Sequence, residues 1–405
     1  MARRKLTTAA EELLKLENNK ISEQIIKDVN AAIEGENIAF ILGDQSTPAD
    51  ISGFISSGSV ILDTIMTNNQ WPEKNGGYPI GRLIDITGNE STGKSLLANH
   101  ALIETQRVGG IPVLIDEEGT TSIGLLKLMG LKVGEEAVKA GLEKLVLIQT
   151  GTVEGVFETI EKIIIKSREI SKSKPITIVW DSVAATSSKD EIEQGYEQEG
   201  YGTFKAKAIS KGMRKLTPFI SKLNVCLIFT NQLRQNISKF GHGDKFVAPG
   251  GKAIPFHASI RLRLEKIENI KAGSDKNDPT IGIIVKVTTR KNKVAPFNRT
   301  CLLNIYFNQG INDEESWLDD LVDKKIIEKP TKQKYSFKMP DRKPFEFKKS
   351  EWFKILKEDA VYDYVKKQVI QANVIDYSSF APSYDEIVSQ NEVEAAENAE
   401  TEVED

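Results

Sequence analysis

One short segment carries residues whose types and spacing suit the binding of a polyphosphate. The stretch "GRLIDITGNESTGKSLLANH", residues 81–100, contains the arrangement G-x-x-x-x-G-K-[ST]. Its glycines let backbone amides close around phosphate oxygens, its lysine brings a positive charge to the outer phosphates, and its serine hydroxyl can ligate Mg²⁺. The predicted phosphate-binding residues are Gly88, Asn89, Glu90, Ser91, Thr92, Gly93, Lys94 and Ser95.

Carboxylates elsewhere in the sequence can complete such a site, which needs a metal-holding carboxylate and a group that orients water. Asp181 ends the apolar run "ITIVWD", and together with Ser95 it is the predicted Mg²⁺ site, although an acidic residue there also suits a helix cap. The segment "VLIDEEG" offers Asp116, Glu117 and Glu118. Strand alternation puts the first and third on one face and Glu117 on the other, and the pattern does not choose between the faces.

The elements that must position these residues alternate between short apolar strands and amphipathic helices. This order requires crossover connections, so it predicts an α/β fold with a mostly parallel sheet covered by helices on both faces. The last three strands follow one another without helices, which predicts antiparallel strands at one end of the sheet. Strands are predicted at 82–87, 111–117, 144–149, 175–181, 224–231, 258–267, 280–290 and 300–307, and helices at 93–108, 121–130, 153–170 and 202–222.

The segments on either side of this core are smaller. Residues 1–49 are predicted to hold a helix and a strand, 38–43, that serve oligomerisation, because an apolar stripe at helical period has to be buried against something. Residues 311–380 are predicted to form a small C-terminal lobe, and residues 381–405 an acidic, disordered tail. The stripe consists of Ile21, Ile25, Ile26, Val29 and Ile33.

Composition limits the class of protein. An apolar share of 40% and a charged share of 28% are typical of a globular protein, and no segment resembles a membrane span or a secretion signal, so we expect a cytoplasmic protein without a membrane partner. Cys226 and Cys301 lie in apolar strand-like runs and the three histidines form no cluster, which argues against disulfides and a zinc site.

Charge is distributed unevenly along the chain. After Lys367 there are ten acidic residues and no Lys or Arg, whereas residues 200–264 carry twelve Lys or Arg against Asp244 alone. A one-sided basic run of this length favours an anionic partner such as nucleic acid. It includes "NQLRQNISKFGHGDKFVAPGGK", residues 231–252, whose length is typical of a binding loop or lid.

These residues together resemble the RecA family of recombinases, including its UvsX-like relatives in large phages. The matching stretches occur in family order over residues 50–310, and they are "GRLIDITGNESTGKS", "VLIDEEG", "IVWDSVAATSSKDEIE", "KGMRKL", "LIFTNQLRQNI", "PGGKAIPFHASIRLRL" and "RKNKVAPF". The resemblance implies a RecA-like P-loop ATPase core that uses ATP and Mg²⁺. It also implies a DNA-dependent ATPase that assembles on single-stranded DNA as a helical filament and pairs it with homologous double-stranded DNA.

The resemblance also implies roles for individual residues of the site. In addition to Lys94, two further residues are implied in catalysis. Glu118 matches the glutamate that activates the attacking water, and Gln232 matches the glutamine that senses the terminal phosphate. Lys291 and Lys293 match lysines that reach the ATP held by the neighbouring subunit. Phe256 matches an apolar contact of the same interface, although by its sequence context alone we expect it in the core.

Two DNA-binding loops are implied at about 193–207 and 233–250. The matching residues are of three kinds: basic residues that bind phosphates, side chains that insert between bases, and glycines that let the loop reorder. Proteins that bind single strands combine basic and flat or apolar side chains in this way. They are Tyr201, Lys207, Arg214, Arg234, Ile237, Lys239, Phe240, Lys245, Gly250 and Gly251.

The chain departs from the family pattern where the family contacts adenine. Leu125 replaces a stacking tyrosine and Ser122 replaces an acidic residue, so a strict preference for ATP is in doubt. Two other functions share many of these residues, namely a ring-shaped helicase with the same core and a DNA-coating scaffold without hydrolysis. The paired lysines argue against the ring, and Glu118 with Asp181 argues against the scaffold. The acidic tail either competes with DNA for the basic surface or only solubilises the protein.

Overall fold

The computed structural model describes residues 21–31, 39–40, 47, 50–193, 201–235, 246–247, 249–273, 275–331, 333–340 and 342–377. The chain divides into two compact units, Met1–Ser52 and Gly53–Asp405. In the first unit, residues 21–31 form helix α1, on which Ile21, Ile25 and Val29 of the predicted stripe are exposed. Most of the predicted strand at 38–43 and the whole acidic tail lie outside the described residues.

The second unit contains the following described elements. Its strands are β1 (Phe54–Ile55), β2 (Tyr78–Pro79), β3 (Leu83–Gly88), β4 (Ile111–Asp116), β5 (Val146–Ile148), β6 (Ile176–Asp181), β7 (Val225–Gln232), β8 (Arg234–Gln235), β9 (Phe246–Val247), β10 (Ile260–Lys271), β11 (Thr280–Asn292), β12 (Thr300–Tyr306), β13 (Gly310–Asn312), β14 (Tyr335–Phe337) and β15 (Phe345–Phe347). Its helices are α2 (Val60–Thr67), α3 (Lys94–Arg107), α4 (Ile123–Leu128), α5 (Glu135–Lys139), α6 (Val153–Ile170), α7 (Lys189–Glu193), α8 (Tyr201–Lys222), α9 (Ala253–His257), α10 (Asp313–Asp323), α11 (Trp352–Ile355) and α12 (Asp359–Ala372).

A sheet of nine described strands forms the centre of this unit, in the order β13-β12-β11-β10-β3-β7-β6-β4-β5. The strands from β10 to β5 in that order pair in parallel. The pairs β10–β11, β11–β12 and β12–β13 are antiparallel. The predicted α/β fold class, mostly parallel with antiparallel strands at one end, is therefore confirmed. Parallel pairing aligns the carboxyl ends of β3, β4, β6 and β7 at one edge, which is where ligands bind in such sheets.

Both faces of the sheet are covered, as strand periodicity requires. In β6, Ile178 and Trp180 belong to one apolar cluster, whereas Val179 between them belongs to the cluster on the other face. Helices α6 and α8 supply the first cluster, for example through Ile160, and α3 supplies the second, for example through Leu97.

Helix α6 shows how the local sequence produces a well-defined element. The hydroxyl of Thr152 caps it by accepting a hydrogen bond from the Gly155 amide (3.1 Å), and its buried apolar residues recur at helical spacing from Val153 to Ile164. It lies so close to α8 that a Cβ atom on Gly212 would come within 2.3 Å of the Phe157 ring. Glycine at this position lets the two helices approach.

The predicted elements correspond closely to those of the structure. The predicted helix at 153–170 has the same bounds as α6, and the predicted strand at 82–87 is β3, Leu83–Gly88. The short helices α2, α5 and α9 were not predicted, because five to eight residues hold too little of the helical period, and α9 also contains Pro255.

The C-terminal segments pack on the antiparallel end of the sheet. Trp317 of α10 and Val365 of α12 lie in the same apolar cluster as Val285 and Leu303 of β11 and β12. The division of the chain into a core at 50–310 and a lobe at 311–380 remains a prediction.

Other sequence features have simple structural counterparts. Cys226 and Cys301 are buried and unpaired with each other, and burial raises the pKa of both thiols. Within the described residues, no cluster of three or more His, Cys, Asp or Glu side chains could hold a metal ion. None of the described helices combines the length and the apolar character that a membrane crossing needs.

Candidate functional site

The phosphate loop connects β3 to α3 at the carboxyl edge of the sheet. Ser91 and Gly93 have positive φ angles of 56° and 83°, and Gly93 is the N-cap of α3. At Gly88 a Cβ atom would lie 2.6 Å from Thr92 Oγ1 and 2.7 Å from the Leu264 carbonyl oxygen, so only glycine fits there. The loop consequently turns its backbone towards the N-terminal end of a fourteen-residue helix, a position that favours anions.

Lys94 lies at the start of α3 with its side chain folded back over the loop. Its Nζ atom donates a hydrogen bond to the carbonyl oxygen of Asn89 (2.7 Å). Burial lowers the pKa of this lysine, whereas the carboxylates of Asp181, Glu118 and Glu90 raise it. The ammonium group is thus held within the curve of the loop and surrounded by acidic side chains.

Asp181 ends β6 beside the phosphate loop, as the sequence predicted. Its Oδ1 atom accepts a hydrogen bond from the hydroxyl of Thr230 on the adjacent strand β7. Burial raises the pKa of Asp181, hydrogen bonds from Thr230 and Ser95 oppose this rise, and the nearby carboxylates of Glu118 and Asp116 add to it. One carboxylate and one hydroxyl, Asp181 and Ser95, therefore fit a Mg²⁺ ion that keeps most of its ligands from phosphates and water.

The acidic triplet after β4 divides into two structural roles, which the sequence pattern left open. Asp116 accepts hydrogen bonds from the Gly119 and Thr121 amides (2.9 and 3.1 Å) and so closes the turn. Glu117 points towards the segment after β5, where it accepts from the amides of residues 150 and 151 (2.8 and 2.9 Å). Glu118 lines the cleft, and its Oε1 atom accepts a hydrogen bond from the Ser182 hydroxyl.

A cleft of about 580 Å³ brings these predicted residues together. We call it the phosphate-loop cleft, and its lining includes most of the phosphate loop, the acidic residues Glu118 and Asp181, and residues at and before α4. The full lining consists of Glu90, Ser91, Thr92, Gly93, Lys94, Ser95, Leu96, Asn99, Glu118, Thr120, Thr121, Ser122, Leu125, Leu126, Asp181, Ser182 and Gln232. At the start of α4, the Ser122 hydroxyl accepts a hydrogen bond from the Leu125 amide (3.3 Å) and thereby caps the helix.

The end of β7 connects the phosphate loop to the second predicted DNA-binding loop. The side-chain amide of Gln232 donates to Glu90 Oε1 (2.6 Å), and the Leu233 amide donates to the carbonyl oxygen of Gly88 (3.1 Å). The preceding residue, Asn231, donates from Nδ2 to the carbonyl oxygen of Pro249 (2.8 Å). Consecutive residues of one strand therefore contact the two functional segments.

Only the base of the second loop is described. Arg234 of β8 pairs with Val247 of β9, and Ile237, Lys239, Phe240 and Lys245 lie outside the described residues. Where the loop returns, Gly250 and Gly251 have positive φ angles of 95° and 74°.

The returning end of the second loop packs on α8. A Cβ atom on Gly250 would lie 2.7 Å from Ile209 Cδ1, and one on Gly251 would lie 3.1 Å from Ala206 Cβ. Because residues 201–207 of the first predicted loop form the start of α8, the described ends of both loops meet on this helix.

Helix α8 also carries the basic residues predicted for the first loop. Tyr201 is its first residue, residues 194–200 lie outside the described part, and Lys207 and Arg214 are both exposed. Their spacing of seven places the two cations on one face of the helix. Lys207 Nζ lies 5.8 Å from the centre of the Phe204 ring.

Lys291, at the end of β11, lies next to the short helix α9. Its Nζ atom donates to the carbonyl oxygens of Pro255 (2.9 Å) and Phe256 (2.8 Å). Burial lowers its pKa, and the nearby charges of Lys293 and Arg261 lower it further. Phe256, which we expected in the core, is 73% exposed, because α9 is short and directs this ring to the surface. The lysine pair is therefore accompanied by an exposed aromatic ring rather than by the cleft residues.

Sequence reasoning missed several residues that shape the site. Thr230 and Ser182 hold the two acidic side chains of the cleft, and Asn231 holds the second loop. None belongs to a spacing motif of its own. The one usable signal was position, because Thr230 and Asn231 immediately precede Gln232 at the end of a strand.

Comparisons with known proteins agree with this geometry. The family model of the RecA N-terminal domain matches residues 20–312. The chain is similar to the protein RecA of Ureaplasma parvum, with 35% identity over 291 residues that cover 72% of this chain and 78% of that protein. It is 39% identical to the protein RecA of Borreliella afzelii over 278 residues, 68% of each chain. It is 34% identical to the protein RecA of Citrifermentans bemidjiense over 320 residues, 79% of this chain and 83% of that protein. With a matching family model, an assembled phosphate-loop cleft and these relatives, the chain belongs to the RecA family of recombinases.

Proposed function

We propose that this protein is a cytoplasmic, DNA-dependent ATPase that forms helical filaments on single-stranded DNA and pairs it with a homologous duplex in recombination and repair. The observation that carries this proposal is the end of β7, where Gln232 contacts Glu90 of the phosphate loop and Asn231 contacts Pro249 of the second loop. A strand that contacts both segments gives nucleotide and DNA a direct physical connection.

In the proposed reaction, the loop amides and Lys94 bind and neutralise the phosphates of ATP. A Mg²⁺ ion held by Ser95 and Asp181 would supply positive charge to the phosphate oxygens that develop negative charge during transfer. Glu118 orients the attacking water and accepts its proton, and Ser182 positions Glu118 through their hydrogen bond. Gln232 senses the terminal phosphate by exchanging its contact with Glu90 for one with ATP.

The lysine pair of a neighbouring subunit completes the proposed site. Lys291 and Lys293 reach the terminal phosphate across the interface, and the exposed Phe256 ring packs against that neighbour. Such a contact joins different surfaces of two copies, and a head-to-tail contact that does not close gives an open helical filament. ATP would then stabilise assembly because both subunits bind it.

DNA is held on the basic surface of α8 and on the second loop. Lys207 and Arg214, exposed on one face of α8, bind phosphates, as do Arg234, Lys239 and Lys245. Tyr201, Ile237 and Phe240 insert between bases, in the manner of other proteins that bind single strands. Gly250 and Gly251 allow the loop to reorder, since their positive φ angles suit glycine. Base pairing, rather than side chains, then selects the homologous duplex.

Electron microscopy together with a phosphate-release assay tests the proposal. With ATP, Mg²⁺ and single-stranded DNA we expect open-ended filaments and hydrolysis that DNA stimulates. Closed rings would support a helicase instead, and filaments without hydrolysis would support a DNA-coating scaffold. A protein that stays monomeric with ATP and DNA present would contradict the proposal.

A further inference from the structure

A buried acidic residue of β3, Asp85, has no part in the site described above. It is only 1% exposed, and β3 lies between β10 and β7 in the centre of the sheet. A charge at such a position is unfavourable unless a partner compensates it. The Asp85 Oδ2 atom accepts a hydrogen bond from Arg261 Nε on β10 (2.9 Å), whereas its Oδ1 atom has no hydrogen-bond partner among the described residues.

Asp85 belongs to a row of charged residues that crosses three adjacent strands. In the register of the sheet, Asp85 of β3 lies beside Arg261 of β10, and Arg261 lies beside Lys291 of β11. Residues that are opposite each other on neighbouring strands project from the same face of a sheet. The row therefore places one buried carboxylate next to two cations that are both partly exposed.

The charges of this row act on one another. Burial raises the pKa of Asp85, whereas the charge and the hydrogen bond of Arg261, and the charge of Lys291, lower it. Burial lowers the pKa of Lys291, the charges of Lys293 and Arg261 lower it further, and the carboxylate of Asp85 raises it. Asp85 thus offsets the repulsion between cations that lie close together at the end of β11.

The ammonium group of Lys291 also has a donor to spare. A lysine ammonium group carries three N–H donors. The contacts of Lys291 within the described part of the chain use two of them, on the carbonyl oxygens of Pro255 and Phe256. The Phe256 side chain beside it is 73% exposed. The row therefore ends in a charged donor at a surface that an anionic group of another molecule can approach.

We propose that Asp85 is a positioning residue for Lys291, because it anchors Arg261 and offsets the repulsion between the cations, so that Lys291 stays charged where it meets the ATP of the next subunit. The inference rests on the proposed function for the identity of the anion, a terminal phosphate. The charged row itself does not depend on that function. Asp85 acts through its neighbours and does not touch the nucleotide.

The charged and titratable groups near Lys291 come from several elements. They are Asp85 of β3, Arg261 of β10, Lys293 of β11 and His257 of α9, and Arg214 of α8 lies close to the same histidine. Burial and the three cations nearest to it lower the pKa of His257 below its ordinary value, so this ring is neutral at alkaline pH. A titration of the cluster at alkaline pH therefore reports its lysines and not its histidine.

Competitive acetylation tests the inference without nucleotide or hydrolysis. The rate at which acetic anhydride modifies Lys291 is measured against pH by mass spectrometry, since only the uncharged amine is nucleophilic. Asp85→Asn keeps the size of the side chain and an acceptor for Arg261 but removes the charge, so the midpoint of Lys291 should move to lower pH. Arg261→Gln removes a cation, so the midpoint should move to higher pH.

Two further variants serve as controls for the acetylation experiment. The double variant Asp85→Asn/Arg261→Gln removes one charge of each sign, so its midpoint should lie between those of the single variants. Asp63→Asn removes a different buried carboxyl group, which belongs to α2 and not to this row, and it should leave the midpoint of Lys291 unchanged.

Under the proposed function, the same variants should change the pH profile of ATP hydrolysis. The pH above which DNA-stimulated hydrolysis declines should fall in Asp85→Asn and rise in Arg261→Gln, because Lys291 acts only in its charged form. Binding of a fluorescent nucleotide to the phosphate-loop cleft should be unchanged in both variants, since Asp85 does not line that cleft.

Each other result has a definite meaning. An unchanged Lys291 midpoint in a folded Asp85→Asn variant would overturn the inference. Shifts of the same sign in the two single variants would also overturn it, because a general loosening of the sheet acts alike in both. Thermal melting followed by circular dichroism establishes that each variant is folded. If Asp85→Asn does not fold, the direction of the shift in Arg261→Gln and the position of the double variant decide. Shifts as expected in a protein that hydrolyses no ATP would instead reject the proposed function and uphold the charged row.

Discussion

Adjacent acidic residues in this protein have different roles because each contacts different backbone and side-chain groups. Glu117 and Glu118 are chemically identical neighbours. Glu117 nevertheless accepts hydrogen bonds from backbone amides of the segment after β5, whereas Glu118 lines the phosphate-loop cleft. Strand alternation predicted that they point to opposite faces, but it did not say which face holds the nucleotide. The family resemblance implied Glu118, and the folded sheet shows why the two residues differ: the neighbouring strand β6 leads to Ser182, which donates a hydrogen bond to Glu118.

The first prediction at this scale concerns proton transfer by Glu118. Glu118→Gln keeps the size of the side chain and its contact with Ser182 but removes the proton acceptor. We expect ATP hydrolysis to fall by about 10²–10⁴-fold while nucleotide binding persists, since general-base catalysis contributes about that factor. Phosphate release and equilibrium binding measure the two quantities. Glu117→Gln, the same change one residue earlier, is the control, and an equal loss of hydrolysis in that variant would contradict the assignment.

The second prediction concerns two buried carboxyl groups outside the site. Burial raises the pKa of Asp313 to about 7 and that of Asp63 to about 6, and the nearby carboxylate of Asp63 raises the pKa of Asp313 further. Because the folded-state pKa is raised, the stabilising contribution of Asp313 is present at low pH and is lost as the pH rises through about 7.

The Asp313→Asn variant isolates this effect because asparagine does not titrate. Relative to the variant, the wild-type protein should lose free energy of unfolding between pH 5 and pH 8, by ~1 kcal/mol or more given ~1.4 kcal/mol per pKa unit. Urea unfolding at several pH values measures the difference. Parallel pH profiles for the two proteins would show that Asp313 does not titrate in this range.

At the scale of elements, the sequence predicted most of the sheet and its long helices. Long apolar runs such as that of β6 can only be buried on both faces, and α6 has an unbroken helical period with a cap at Thr152, so both could be recognised. Helix α9 could not be recognised from the sequence, because its five residues include a proline. Its Phe256 is exposed, although an aromatic residue in this sequence context is expected in the core. The contact of Asn231 with Pro249 joins residues eighteen positions apart, and no local pattern encodes it.

The close packing of α6 and α8 leads to a prediction on stability. Gly212→Ala would place a methyl group 2.3 Å from the Phe157 ring, so the helices would have to separate. We expect a loss of ~1–3 kcal/mol in the free energy of unfolding, as in other overpacked cores. Gly124→Ala on α4 is the control, since its nearest atom lies 3.7 Å away. Equal stability of Gly212→Ala and the wild-type protein in urea would contradict this packing.

The end of β7 leads to a prediction on coupling. Asn231→Ala removes the hydrogen bond to the Pro249 carbonyl oxygen and leaves the Gln232 contact with Glu90 in place. We expect stimulation of ATP hydrolysis by single-stranded DNA to fall several-fold more than the rate without DNA. The ratio of the two rates measures the effect, with the exposed Asn308→Ala as control. Undiminished stimulation in Asn231→Ala would show that DNA reaches the phosphate loop by another route.

At the scale of the whole molecule, the proposed active site needs residues of two subunits. Under the proposed function, Lys94 acts within one subunit and Lys291 acts on its neighbour, so Lys94→Ala and Lys291→Ala should each abolish hydrolysis alone. Mixed in equal amounts they should regain activity, because about a quarter of random head-to-tail interfaces would combine two intact residues. Phosphate release from the mixture measures this recovery. A mixture as inactive as its components would place both lysines in one subunit's reaction.

The end of β7 also constrains how this protein can change over evolution. Neighbouring residues of a strand point to opposite sides, so Asn231 and Gln232 serve opposite neighbours only because they are adjacent. Inserting one residue upstream would reverse the alternation of side chains along the strand, and the Asn231 amide that now contacts Pro249 of the second loop would face the phosphate loop instead. Insertions or deletions in this strand should therefore be tolerated only when they comprise two residues, although many individual side chains along the strand could be substituted.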